Sequence, residues 1–162
     1  MASGTGEVAT TWHRGHDTSF TTSIEVAKSP HHVFDCIRDV AKWWGGPDLE
    51  GRTTRLNDEF TITHGDAHYS KQKLIEVVAD QKLVWLITEA RLGWLARNKH
   101  EWTNTRLVFQ IVPRGDTTVV ELRHEGLVPE LECYERCSEG WRLVIGDYLF
   151  RFITEGTPHW PH

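Results

Sequence analysis

The sequence is poor in cysteine, has no basic excess and contains no long apolar run. Each lack removes a class of protein. The 162 residues include only 3 cysteines, Cys36, Cys133 and Cys137. They cannot all pair within one chain, and no CxxC spacing occurs. Cys133 and Cys137 lie four apart, on one face of a helix, but no nearby histidine completes a zinc set. Reduced thiols in a cytosolic protein are the expectation. Lys and Arg number 18 against 23 for Asp and Glu, a net charge of -5. No basic stripe of the kind that tracks a nucleic-acid backbone is present. The longest apolar stretch falls far short of the roughly 20 residues of a membrane-spanning helix. No apolar core of a secretory signal stands near the N-terminus. Neither GxGxxG nor a P-loop occurs, so no phosphate cradle is expected.

What the chain does have is tryptophan and histidine, 8 and 10 residues respectively. Trp43, Trp44, Trp85, Trp94, Trp102 and Trp141 fall where folded structure is expected. An indole buries a large area and needs a partner for its N–H. The set therefore reads either as a Trp-rich closed core or as a pocket lined by rings.

The length suits one domain. Residues 1–17 carry Gly, Ser, Thr and His with few large apolar groups and read as a loose arm. Residues 157–162 hold two prolines and read as an irregular tail. Between them, 18–156 is one unit. Phe20, Thr22, Ile24 and Val26 alternate as the inner face of a strand. Ser29 and Pro30 form an N-cap and a first-turn proline. Val33, Phe34, Ile37, Val40, Ala41 and Trp44 then repeat at helical spacing up to the Gly45-Gly46-Pro47 break. Strands follow at Phe60–His64, Tyr69–Val78 and Leu83–Glu89. A hairpin joins Thr105–Pro113 to Thr117–His124 around Gly115. Residues 91–102 give no clear period. From about Glu130 to Gly156 the period is helical, with Tyr134, Cys137, Trp141, Ile145, Tyr148 and Phe152 within about 40° on one face. At 1.5 Å per residue this helix is roughly 33 Å long and crosses most of the molecule. Its aromatic stripe must face the antiparallel sheet. The expected fold is α+β, a curved sheet gripping one long helix.

Four segments carry a resemblance: IEVAKSPHHVFDCIRDVAKWWGG, KLIEVVADQKLVWLI, TRLVFQIVPRGDTTVVELRHEGL and CYERCSEGWRLVIGDYLFRFITEG. In that order they resemble the START-like, or SRPBCC, superfamily over Thr18 to Gly156. Within it they resemble the branch named for the activator of a heat-shock chaperone's ATPase. The resemblance implies a helix-grip fold with a cavity between helix and sheet. It also implies ligands such as lipids, polyketides or other hydrophobic molecules, and in some members cyclase or hydrolase activity. True chaperone co-activators carry a further domain ahead of this one, which is not seen here, so that activity is discounted. No signature of the iron-sulfur ring hydroxylases of the superfamily is present. Fold likeness alone does not fix function.

Strand alternation and the helix stripe together nominate a cavity lined by Trp44, Phe60, Ile62, His64, Trp85, Ile87, Leu122, His124, Trp141, Ile145 and Tyr148. The alternative is a closed aromatic core. His64 and His124 are its polar members and the candidate catalytic residues. A neutral imidazole there orients a ligand carbonyl or hydroxyl, or serves as general base. The plainer alternative is a strand-end histidine bonded to backbone or water. As metal ligands the two lack a third partner, and neither metal nor cofactor is expected. Glu76, Glu121 and Arg123 read as rim or solvent charges, and Asp147 with Arg151 as an exposed helix pair. Ser138 has no base and no GxSxG context.

The leading expectation is a cytoplasmic protein that binds a hydrophobic, lipid-like, aromatic or polyketide-like small molecule. The alternatives are a cyclase- or hydrolase-type enzyme using a cavity histidine, and a module that interacts with a chaperone. Leu143 and Phe150 lie about 20° apart on the charged outer face of the long helix. They stay exposed, or are covered by the Trp160 tail or the Trp12 arm, or pack across the two-fold axis of a homodimer.

Overall fold

Seven antiparallel strands build one curved sheet in the computed structural model, which describes residues 17–161. In chain order they are β1 (Phe20–Val26), β2 (Leu49–Gly51), β3 (Glu59–His64), β4 (His68–Val78), β5 (Lys82–Arg91), β6 (Arg106–Arg114) and β7 (Thr117–Glu125). Their order across the sheet is β1-β7-β6-β5-β4-β3-β2. Helix α1 (Pro30–Arg38) follows β1, and the C-terminal helix of 22 residues lies across the concave face. This is the helix-grip arrangement that the sequence pattern predicts.

Local chemistry explains the well-read elements. The Ser29 hydroxyl accepts the His32 N–H at 3.1 Å, and Pro30 occupies the first turn of α1. Asp80 and Gly115, with φ of 63° and 60°, turn the β4–β5 and β6–β7 hairpins. Along β7 every second side chain is buried, from Thr118 through Val120 and Leu122 to His124. Glu121 and Arg123 face outward between them. Glu76 joins that outer face and pairs with Lys82 at 3.4 Å.

Three elements differ from the sequence expectation. Helix α1 stops at Arg38 instead of running to Trp44. The Trp43 indole N–H folds back to the carbonyls of Cys36 and Ile37, at 3.2 Å each, and takes the place of the next helical N–H donors. A single 3-10 turn at Val40–Lys42 follows. The long helix begins at Tyr134, not Glu130. Its entry is capped from outside, by the Glu101 carboxylate accepting the N–H groups of Glu132 and Cys133 at 3.0 Å each. Glu132 in turn accepts the N–H groups of Ala96 and Arg97, at 3.0 and 3.1 Å. Arg91 closes β5, and residues 92–102 are thereby held as an ordered loop with Leu92, Leu95 and Trp102 buried.

The third difference has the widest consequence. The long helix is α2 (Tyr134–Leu143), a π turn (Val144–Leu149) and α3 (Phe150–Glu155). A π turn inserts one extra residue, which shifts the phase by about 100°. The buried face therefore passes from Cys137, Trp141 and Ile145 to Leu149 and Ile153, rather than to Tyr148 and Phe152. Leu143 and Phe150 also cease to share a line: Leu143 is exposed, whereas Phe150 is half-buried against the core.

Asp17 is the one residue of the expected arm that is described. It accepts the Ser19 N–H at 2.8 Å and pairs with Arg123. Trp12 lies outside the described residues. The tail, though irregular, is fastened. His159 N–H donates to the Lys42 carbonyl at 2.8 Å, and the Tyr148 and His159 rings meet at 4.7 Å. Trp160 sits on Gly46, whose φ of +54° and lack of a Cβ leave room for the indole. The tail thus covers the turn after α1, and Leu143 stays exposed. Cys36, Cys133 and Cys137 are all free and buried.

Candidate functional site

Three tryptophans from distant parts of the chain meet at one end of the grip. Trp44 comes from the turn after α1, Trp102 from the β5–β6 loop, and Trp141 from α2. Trp102 and Trp141 are parallel within 9°, with centroids 5.8 Å apart. Trp44 lies 5.1 Å from Trp141 and 6.5 Å from Trp102. His68, at the start of β4, sets its ring edge-on to Trp44 and Trp102, at 6.2 and 5.4 Å. Two clefts open on this group. One, of about 130 Å³, is lined by Trp44, Gly45, Asp48, Ile62, His64, His68 and Pro161. The other, of about 150 Å³, is lined by Trp44, His68, Trp102, Cys137, Gly140, Trp141, Val144 and Pro161. Trp44, His68 and Pro161 belong to both, so the clefts are two lobes of one site.

Deeper in, rings fill the space. Trp44 packs edge-on to Phe60, Phe60 to Trp85, Trp85 to Phe109, and Phe109 to Trp43, with centroids 5.3–6.4 Å apart. Edge-to-face contacts of this kind each add about 0.5–1.5 kcal/mol beyond area burial. Of the residues nominated from sequence, Trp44, Ile62, His64 and Trp141 line the lobes. Phe60, Trp85, Ile87, Leu122, His124 and Ile145 lie in the closed core beneath. The π turn carries Tyr148 out toward His159.

The two nominated histidines differ sharply. His64 sits on the rim, 47% exposed, with Nδ1 3.2 Å from the Asp48 carboxylate. His124 is wholly buried. Trp141 donates its indole N–H to His124 Nδ1 at 3.0 Å, which places the ring proton on Nε2. Nε2–H then donates to the Thr105 hydroxyl at 2.8 Å, and that hydroxyl donates to the Trp102 carbonyl at 2.6 Å. Both ring nitrogens are thus used within the protein, and burial pushes the pKa down to about 3. The chain ties Trp141 and the Trp102 loop to β7, so His124 positions the two parallel indoles.

Sequence reasoning missed His68 and Pro161, and left Trp102 off the cavity lining. His68 was findable, since it continues the inward set Ser70, Gln72 and Leu74 by one step of two. Its Nε2 lies 2.8 Å from Ser70 Oγ. Burial, with the nearby His64 ring, pushes its pKa down to about 4. Trp102 counted among the six tryptophans of a core or pocket, but its aperiodic segment gave no way to place it, and Pro161 gave no signal. Other hollows are of a different kind. A groove of about 110 Å³ on the outer sheet face is lined by Glu76, Lys82, Arg106, Glu121 and Arg123 among others. A broad depression of about 430 Å³ runs along the polar loop from Gly51 to Asp58. Neither offers an apolar enclosure. Among the described residues no cluster of His, Cys, Asp and Glu is arranged to hold a metal ion.

No family model and no curated protein matches the chain. Solved structures do. The Aha1 dimer from Colwellia psychrerythraea has a TM-score of 0.66 at 14% identity, over 85% of this chain and 97% of that one. DynU16, a protein of the dynemicin biosynthetic locus, has a TM-score of 0.65 at 16% identity, over 90% of this chain and 51% of that one. This chain therefore spans about half of DynU16. CalU16 from Micromonospora echinospora has a TM-score of 0.61 at 16% identity, over 86% of this chain and 75% of that one. At such identities the likeness is one of fold. It supports the helix-grip expectation and does not single out the chaperone-activator branch.

Proposed function

From two apolar lobes that share Trp44, His68 and Pro161, we propose that the protein binds a small, neutral, largely aromatic molecule of two rings. Size is the argument. An apolar cavity of about 150 Å³ accommodates one benzene ring. Lobes of about 130 and 150 Å³ therefore suit one ring each. The space is below the roughly 300–1,000 Å³ of a drug-sized pocket, so a long acyl chain or a four-ring polyketide would extend out of the lobes. Residues 18–156 form the binding unit, and the tail completes its rim through Pro161. Three unpaired buried thiols favour a cytoplasmic setting.

Burying about 200 Å² of ligand at 25 cal/mol per Å² gives a gross gain of about 5 kcal/mol, which limits the affinity to a Kd no tighter than on the order of 100 μM before the costs of association. A tryptophan fluorescence titration with neutral hydrocarbons and ketones of one, two, three and four rings tests the reading. The expected result is a response that peaks at two rings. A flat response, or one that keeps growing with ring number, defeats it.

A chaperone-directed role rests on fold likeness alone. So does assembly into a dimer, the form in which the Aha1 structure is described. Leu143 stands on the outer helix face without Phe150 beside it, so a dimer through that pair has weak support here. No helix among the described residues is long and apolar enough to cross a membrane.

A further inference from the structure

The inner face of β4 carries a run of polar groups where most of the sheet's inner face is apolar. Ser70 and Gln72 are completely buried, and His68 precedes them on the same face. Buried polar groups of this kind persist only where hydrogen bonds meet their cost. Here the bonds form a line. The Gln72 amide N–H donates to Ser70 Oγ at 2.7 Å, and Ser70 Oγ lies 2.8 Å from His68 Nε2.

Counting protons along the line fixes the histidine. Ser70 Oγ accepts from Gln72, so its own proton needs an acceptor, and His68 Nε2 is the polar atom beside it. A neutral imidazole offers Nε2 as acceptor only when Nδ1 carries the hydrogen. The reverse arrangement either leaves the Ser70 hydroxyl proton without an acceptor or turns the Gln72 amide around, so that its oxygen accepts from Ser70. The turned amide leaves both its N–H groups bare in the core. The present arrangement leaves one N–H and the Gln72 Oε1 oxygen, which is buried and unbonded. An orphaned buried donor is rarer than an under-used carbonyl oxygen, so the Nδ1–H form is the better satisfied.

Among the described residues Nδ1 has no hydrogen-bond partner, yet it is not among the sealed, unbonded polar atoms. The His68 ring lines both lobes. A fixed N–H therefore faces the cleft where the lobes join. No Lys or Arg lines either lobe, and Asp48 stands at one rim. An anionic ligand would lose its hydration with no counter-charge to replace it. We infer that His68 is the polar anchor of the cleft and that its Nδ1–H selects neutral two-ring ligands bearing a carbonyl oxygen. This rests on the cleft being a binding site, and it adds the class of ligand and the residue that chooses it. The depressed pKa of His68 keeps the ring neutral at physiological pH, as the scheme needs.

The test is a matched pair of probes, 1-indanone and indane, which share a two-ring carbon frame and differ in the carbonyl. Wild type and His68→Phe are titrated with each by NMR. Wild type is expected to bind 1-indanone about five- to tenfold more tightly than indane, the yield of one neutral hydrogen bond. His68→Phe should lose the preference and bind the two probes within about twofold of each other, whatever the change in its affinity for indane. If wild type binds both probes equally, or His68→Phe keeps the preference, the anchor is wrong while the cleft stands. If neither probe binds wild type, the cleft itself fails as a two-ring site. A second readout needs no variant: long-range 1H–15N spectra of the wild-type imidazoles report the His68 tautomer. The Nδ1–H form is expected. The Nε2–H form would make Nδ1 an acceptor suited to hydroxyl-bearing ligands and would overturn the proposal.

Discussion

Trp44→Ala is expected to lower the unfolding free energy by about 3–5 kcal/mol, the usual cost of truncating a buried Trp. Trp44 is 9% exposed and touches Trp43, Phe60, His68, Trp102 and Trp141 through ring contacts. No single neighbour can move in to replace it, because each is held elsewhere. Trp43 is fixed by its bonds to Cys36 and Ile37, Trp141 by its bond to His124, and Phe60 by the β3–β4 register. The melting temperature should fall by roughly 10 °C. The same change removes the wall common to both lobes. Ligand size preference should therefore shift from two rings to three, and a three-ring hydrocarbon should restore part of the lost stability by mass action. Urea unfolding with and without that ligand reads both effects. A cost below about 1 kcal/mol would show that Trp44 is not packed as described. Leu143→Ser, on the exposed helix face, serves as the contrast and should change stability by no more than about 0.5 kcal/mol.

Acidification is expected to cost nearly as much. His124 and His68 have folded pKa values lowered to about 3 and about 4, in both cases chiefly by burial. In the unfolded chain they titrate near 6.5. Between these values the unfolded state binds protons that the folded state refuses. Stability is therefore full above about pH 6.5 and falls as pH drops toward the folded values. From pH 7 to pH 5 each group costs about 2 kcal/mol. Together that is a large share of a typical 5–15 kcal/mol. His31 acts in the opposite sense, since its bond to Asp80 raises its pKa. It lies fully in solvent, so its effect is screened. Urea midpoints at the two pH values measure the sum, and His68→Phe should remove about half of it. A loss under about 1 kcal/mol in wild type would mean that the two imidazoles are not held neutral in the fold.

Both effects involve residues that the sequence exposed unevenly. Period-two alternation made β7 legible, and with it the inward direction of Leu122 and His124. Ser29-Pro30 marked the start of α1 because capping is a local matter. The stop at Arg38 was hidden because it depends on Trp43 turning back onto two carbonyls. The second half of the long helix was misphased for a similar reason. Nothing in Val144–Leu149 announces an added residue, so Tyr148 and Phe152 took the places that belong to Leu149 and Ile153. The lobes were half legible. Trp44 and Trp141 lay on periodic faces, whereas Trp102 is placed by a loop pinned through Glu101 and Glu132, and Pro161 by a tail fastened at Lys42 and Gly46. His68 was lost by one residue at a strand boundary, the least certain part of any reading from periodicity.

A two-ring ligand is proposed to lie across the two lobes that share Trp44, His68 and Pro161, with its carbonyl toward His68. Intermolecular nuclear Overhauser effects from bound 1-indanone to protein protons test it most directly. The account predicts cross-peaks to the ring protons of Trp44 and Trp102 and to the imidazole of His68. It predicts none to Trp85 or Phe109 in the closed core beneath. Cross-peaks confined to the outer sheet face, around Val84 and Val108, would contradict it.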